Sequence, residues 1–132
     1  MKTALFILYI LFSTATLSKE ETIILNCEFE KTFDPAKATT TLTSGSFSYK
    51  ATITDDEYIF AEVSGEAPCT PQIGIATKLE FNTSCSWEYD KNQIEEPLKI
   101  SRINGEFSQQ FRYNKKIGLI HYGKCKKASQ LF

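Results

Sequence analysis

Leu98-Lys99-Ile100-Ser101-Arg102-Ile103-Asn104-Gly105-Glu106-Phe107-Ser108-Gln109-Gln110-Phe111-Arg112-Tyr113 is the stretch on which the fold turns. Asn-Gly between two alternating runs is a strong hairpin signal, because a two-residue type I′ turn needs φ > 0 at both central positions. Such a turn predicts strands over 98–103 and 106–113. It sets Ile103 opposite Glu106, Arg102 opposite Phe107, Ile100 opposite Gln109 and Leu98 opposite Phe111. Leu98, Ile100, Arg102, Phe107 and Phe111 then share one face, which must be the buried one. Arg102 is expected inside, stacked on Phe107 and satisfied by strand-end carbonyls. The rival reading is an anion site at a barrel mouth, where Arg102 meets a carboxylate or phosphate.

Outward from this hairpin the period stays at two. Ile23, Leu25, Cys27 and Phe29 alternate with Ile24, Asn26, Glu28 and Glu30 until Asp34-Pro35 breaks the strand. Phe47, Tyr49, Ala51 and Ile53 do the same, and Asp55-Asp56 turns into a strand over 58–63. A loop, Gly65 to Pro71, leads to the alternating Ile73, Ile75, Thr77, Leu79 and Phe81. Cys85, Trp87 and Tyr89 follow, ended by Asp90-Lys91-Asn92; a turn at Asn114-Lys115-Lys116 precedes a last strand over 117–126. Turn signals at this spacing predict an all-β chain. About eight antiparallel strands in meander order leave no free edge if they close, so a closed or nearly closed barrel is expected. A two-sheet β-sandwich is the alternative.

Met1-Lys2, the apolar run Ala4–Phe12 and the small residues Ser13–Ser18 read as a secretory signal, cut after Ala15 or Ser18. The run is too short to span a membrane. Residues 1–18 are therefore assigned to the signal and 19–132 to a single secreted or periplasmic β domain, with no membrane span after cleavage. Export gives the cysteines their meaning. Cys27, Cys69, Cys85 and Cys125, separated by 42, 16 and 40 residues, lack the paired short spacings of a zinc site. Two disulfides and no metal are expected. Of three connectivities, Cys27–Cys125 with Cys69–Cys85 is preferred, because it ties the first strand to the last and closes one short loop.

Ile100-Ser101-Arg102-Ile103-Asn104-Gly105-Glu106-Phe107, then Tyr122-Gly123-Lys124-Cys125-Lys126-Lys127 and a terminal Phe132, resemble a class of small, uncharacterised, exported bacterial β-rich proteins. These end in I-x-R-x-x-G followed by G-x-C and a basic tail, and Leu25-Asn26-Cys27-Glu28 adds to the likeness. The resemblance implies a secreted, disulfide-bonded, β-rich chain and brings no activity with it.

Catalytic chemistry is thinly supplied. A nucleophilic triad would have to use His121, the sole histidine. Alternation sends it toward the interior unless Gly118 or Gly123 introduces a bulge, and a satisfied core histidine is the plainer reading. Asp55-Asp56-Glu57 and Glu95-Glu96 are the carboxylate pairs for a trailing hydrolase hypothesis, yet they fall at turns or before Pro97, where acids are usually solvated. Asn82-Thr83-Ser84 is a formal N-glycosylation acceptor. No phosphate loop, calcium loop or cofactor motif appears, and no cofactor is expected.

Charge is polarised. Residues 19–80 carry five Lys against eleven acids, a net of −6, and residues 81–132 carry nine Lys and Arg against five acids, a net of +4. Arg112, Tyr113, Lys115, Lys116, Tyr122, Lys124, Lys126 and Lys127 form the candidate binding surface, suited to an acidic protein or an anionic envelope polymer. Nucleic acid is not expected at pI ≈ 5.9. The expected function is a non-enzymatic binding or interaction module, with inhibition of a secreted enzyme or an envelope-associated role as its forms. The alternative is a lipocalin-like carrier of a small apolar ligand. Its interior would be lined from Phe29, Phe47, Phe60, Phe81, Trp87 and Phe107, with Trp87, Arg102, Phe107 and His121 as the candidate interior residues.

Overall fold

The computed structural model describes residues 19–66 and 68–128; the region read as a signal and the terminal Phe132 lie outside them. The strands are β1 (Glu21–Asp34), β2 (Thr39–Leu42), β3 (Ser46–Ile53), β4 (Tyr58–Gly65), β5 (Gln72–Ala76), β6 (Glu80–Tyr89), β7 (Asn92–Ser101), β8 (Glu106–Tyr113) and β9 (Lys116–Lys127). Every pairing is antiparallel, in the order β2-β1-β3-β4-β5-β6-β7-β8-β9. β1 also pairs with β9. Eight strands thus close into a barrel, and β2 adds a short ninth to the far half of β1. The barrel, not the sandwich, is the fold. We call the end where β1 starts basal and the other apical.

Both disulfides take the preferred pairing. Cys27–Cys125 sits on the closing seam, its two residues directly opposite in the β1–β9 ladder. Cys69–Cys85 ties the apical β4–β5 loop to β6. Such bridges fit folding in an oxidising compartment.

The β7–β8 connection differs from a two-residue hairpin. β7 ends at Ser101, and residues 102–105 form a longer loop in which Gly105 N–H donates to the Ser101 carbonyl at 3.0 Å. Only Gly105 among these four has positive φ, +77°. The Ser101 hydroxyl accepts from the N–H groups of Ile103 and Asn104, and Asn104 Oδ1 accepts from Glu106 N–H at 2.9 Å. Asn104 acts through its side chain, so the turn is an Asx-type loop. Ile100 consequently faces Phe107, and Leu98 faces Gln109. A shift of two residues preserves the faces: Leu98, Ile100 and Phe107 are buried, and Gln109 joins them. Arg102, however, leaves the strand and is exposed. Two-residue turns with paired positive φ do occur, at Asp90-Lys91 and Asn114-Lys115, without glycine.

The run from Ile73 to Phe81 is broken as well. β5 stops at Ala76, and Thr77 builds the turn: its hydroxyl accepts from Leu79 and Glu80 N–H, and its own N–H donates to the Glu80 carbonyl at 2.9 Å. β6 then runs unbroken to Tyr89, and Glu95-Glu96-Pro97 lies inside β7 rather than at a turn. Pro97 has no N–H to give, and the β7–β8 ladder skips Glu96 and Pro97.

Phe29, Phe47 and Phe107 pack with ring centroids 5.3–5.5 Å apart. β1 bulges between Phe29 and Lys31, opposite Gly123. A Cβ on Gly123 would lie 2.0 Å from the Glu28 carbonyl oxygen and 2.7 Å from the Phe107 ring, so the seam closes only over glycine here.

Candidate functional site

The barrel axis is filled. Tyr49, Leu98, Ile100, Gln72, Gln109 and Cys27 are all but fully buried, as expected for an eight-stranded barrel whose interior just holds its side chains. The polar members are linked. Tyr49 Oη lies 3.1 Å from Thr83 Oγ1, which donates to Gln72 Oε1 at 3.2 Å, and Gln72 Nε2 donates to the Cys69 carbonyl at 3.0 Å. Burial pushes the Tyr49 phenol up to about 12, against a smaller downward pull from Thr83. Of the six rings proposed to line a carrier cavity, Phe29, Phe47, Phe81 and Phe107 are core. Phe60 faces outward because Ile59, Ala61 and Val63 take the inner positions of β4. Trp87 is 38% exposed near the apical rim, not interior.

Two titratable groups occupy the apical half. Glu96 Oε2 accepts from Cys69 N–H at 3.1 Å and Oε1 from Gln109 Nε2 at 3.3 Å. Burial raises its pKa, opposed by these two hydrogen bonds. The reading of Glu96 as a solvated turn acid is thereby corrected. Its carboxylate lies close to both sulfurs of Cys69–Cys85, but a disulfide offers no thiolate, so this trio supplies one donor and not a metal site. His121 points inward and is half-buried; its Nδ1 is 2.7 Å from Thr32 Oγ1, its ring meets the edge of Phe29, and burial lowers its pKa. The partner is a threonine hydroxyl on the neighbouring strand β1, itself in contact with Thr43 Oγ1. Both groups are built into the packing.

The candidate basic surface is not gathered at one spot. Tyr113, Lys115 and Lys116 flank the apical β8–β9 turn. Tyr122, Lys124 and Lys126 follow the outer wall of β9, and Lys127 reaches the basal mouth. Lys124 lies between Glu28 and Glu106 on the adjacent strands, so acids interleave the stripe. Arg112 Nε donates to Gln110 Oε1 at 2.8 Å.

A surface that alternation did not reveal lies on the opposite wall. Tyr58 faces Ile75 and Phe60 faces Ile73 across β4–β5. All four point outward, at 61%, 50%, 51% and 59% exposed respectively. The inner positions of β5 go to Gln72 and Ala76. Gln72 is held inward by the Cys69 carbonyl, Cys85 Sγ and Thr83, which sends the isoleucines out. The signal in the sequence is that β4 is apolar at both parities, as only a strand covered on both faces should be. Leu79 in the following turn extends the patch. Asp55, Asp56 and Glu57 border it in the β3–β4 turn, with Glu62 on β4 and Glu80 on β6, against Lys50 and Lys78.

At the basal mouth, Arg102 stacks on Phe81, its guanidinium carbon 4.8 Å from the ring centroid, and donates from Nη1 to the Thr77 carbonyl at 2.8 Å. The ring is Phe81 rather than Phe107, because the longer turn carries Arg102 to the β5–β6 loop. No helix long and apolar enough to cross a membrane exists among the described residues. No family model, curated protein or solved structure matches the chain.

Proposed function

We propose that the protein is a non-enzymatic, exported binding module, acting in a secreted or periplasmic setting. Its docking face is the outer wall of β4–β5, and the observation that carries this reading is the cross-strand block Tyr58, Phe60, Ile73 and Ile75. Single exposed apolar residues are ordinary, whereas a contiguous block rimmed by charge marks an interaction surface. The rim is predominantly acidic, so the partner is a protein whose apolar centre is bordered by Lys and Arg. The basic stripe on β9 lies half-way round the barrel, on a strand paired at both sides, and serves solubility. The packed axis disfavours the reading of a carrier with a central cavity, since Tyr49, Gln72, Leu98, Ile100 and Gln109 occupy it among the described residues.

The test is capture of a partner with the mature chain, followed by binding of that purified partner to Phe60→Lys and Ile73→Lys variants. Both positions are exposed, so circular dichroism and melting should be unchanged. A loss of affinity of at least about tenfold, with native binding weakening as salt rises, supports the reading. Equal binding by native and variant chains overturns it. Self-association that Ile73→Lys abolishes would also overturn it, by assigning the face to a second copy.

A further inference from the structure

The basal mouth holds a hollow of ≈ 260 Å³. Its apolar lining is Ile23, Leu25, Phe81 and Ile100, with the seam disulfide at Cys125 beside them; its charged lining is Arg102, Lys127 and Glu21. From these observations we propose that this mouth is a binding site for a small amphipathic anion: a carboxylate or comparable monoanion on a compact apolar body.

Volume limits the size. The hollow equals about nine water-sized volumes, which suits a ligand on the order of ten non-hydrogen atoms. Apolar character comes from buried residues: Leu25, Phe81 and Ile100 are core side chains whose edges form the floor. A ligand tail placed there displaces water from those edges and from the half-buried Ile23.

The charge argument rests on Arg102. The one hydrogen bond of its guanidinium among the described residues goes to the Thr77 carbonyl and uses one of five N–H donors. That bond and the Phe81 ring hold the planar group at the rim, so the remaining donors are pre-oriented for a carboxylate. Lys127 adds a second positive charge and Glu21 the opposing negative one, leaving the lining of the hollow itself with one net positive charge. The loop over 102–105 shapes the opening through a backbone contact, Cys125 N–H to the Gly105 carbonyl at 2.8 Å. The hollow is lined by residues other than those of the β4–β5 face, so this site stands apart from the proposed docking surface.

Sodium octanoate, which has the required size and charge, is titrated into the mature, oxidised chain by calorimetry and by amide-shift NMR. The expected result is one-to-one binding with shifts confined to residues around Ile23, Ile100, Gly105 and Cys125. Octan-1-ol should bind at least about tenfold more weakly, and acetate should not bind measurably. Arg102→Gln should weaken octanoate by a similar factor while leaving octanol unchanged. Because Arg102 also braces the turn, Ile23→Phe provides a second variant that fills the hollow and should abolish binding of both. Absence of octanoate binding, equal affinity for octanol, or shifts centred at the apical end would each overturn the proposal.

Discussion

Glu96 is a carboxylate inside a barrel, and its two acceptor bonds to Cys69 N–H and Gln109 Nε2 do not cancel the cost of burial. Its folded pKa is raised, so the native state takes up a proton more readily than the unfolded chain. The stability it contributes is fully present below the unfolded value, 4.5, and is lost as pH rises through the folded value. Glu96→Gln removes this pH dependence, so its stability relative to the native chain should rise as pH climbs from 4.5 through the folded value, offset by the one donor that a single amide oxygen leaves unserved. Glu96→Ala should instead cost about 1–3 kcal/mol, because two buried donors lose their acceptor. Urea midpoints at neutral and acid pH check both. His121 carries the opposite sign. Burial lowers its pKa, so its contribution is present above 6.5 and lost as pH falls through the folded value. His121→Gln keeps a hydrogen-bonding partner for Thr32 and should flatten stability below that pH, measured in the same melts. Arg102 shows where alternation loses authority. A parity argument holds only while the strand lasts, and β7 ends one residue before it. Exposure limits its worth to about 0.5–1 kcal/mol of stacking on Phe81, plus about one net hydrogen bond.

Strand elements were readable from period two, and their ends were readable wherever Gly, Pro or paired polar residues marked them. The turns that escaped are those closed by side chains. Thr77 caps the β5–β6 turn, and Ser101 with Asn104 caps the β7–β8 loop, without a distinctive dipeptide or against the usual meaning of one. Asn104-Gly105 correctly placed a hairpin and misjudged its length, because Asn104 spends its side chain on Glu106 N–H rather than adopting positive φ. The same chemistry yields a prediction. Gly105 combines φ +77° with a Cβ position 2.3 Å from the Cys125 carbonyl oxygen. Gly105→Ala should destabilise by roughly 2 kcal/mol or more, above the ~1 kcal/mol of a left-handed alanine alone, since the clash is with backbone. By contrast Lys115 sits at φ +68° in a two-residue turn. Lys115→Gly should be neutral to stabilising by about 0.5 kcal/mol. Thermal melts of the two variants should move in opposite directions or, for Lys115→Gly, not at all.

Closure converts linear patterns into walls. The acids that border β4–β5 and the lysines of β9 come to lie on opposite sides because four strand positions separate β4–β5 from β8–β9 around an eight-strand ring, while Glu28 and Glu106 still interleave the basic stripe. That asymmetry was visible in the charge count, while the apolar block on β4–β5 emerged only once the polar network had fixed which parity of β5 points inward. The ring itself depends on one seam, β1–β9, where its first and last strands meet, and Cys27–Cys125 crosses it with a sequence separation of 98. In the chain-entropy account a loop of that length contributes about 4–5 kcal/mol, against about 3 kcal/mol for the 16-residue separation of Cys69–Cys85. Small domains are typically stable by about 5–15 kcal/mol, so losing the seam bridge removes a large share of the total. The paired change Cys27→Ala with Cys125→Ala should lower the melting temperature more than Cys69→Ala with Cys85→Ala. It should also open the β1–β9 ladder first, seen as early hydrogen exchange at the amides of Lys126 and Ala128, which point toward β1, the latter donating to the Ile24 carbonyl at 2.9 Å. The second pair acts differently: removing it frees the loop that presents Cys69 N–H to Glu96, so its cost should grow as pH rises and the carboxyl, losing its proton, comes to depend on that donor. All four cysteines are bridged, so alkylation of the native chain without reductant should add no mass. If the Cys69–Cys85 variant proves the less stable one at every pH, the seam is not what the barrel's stability rests on.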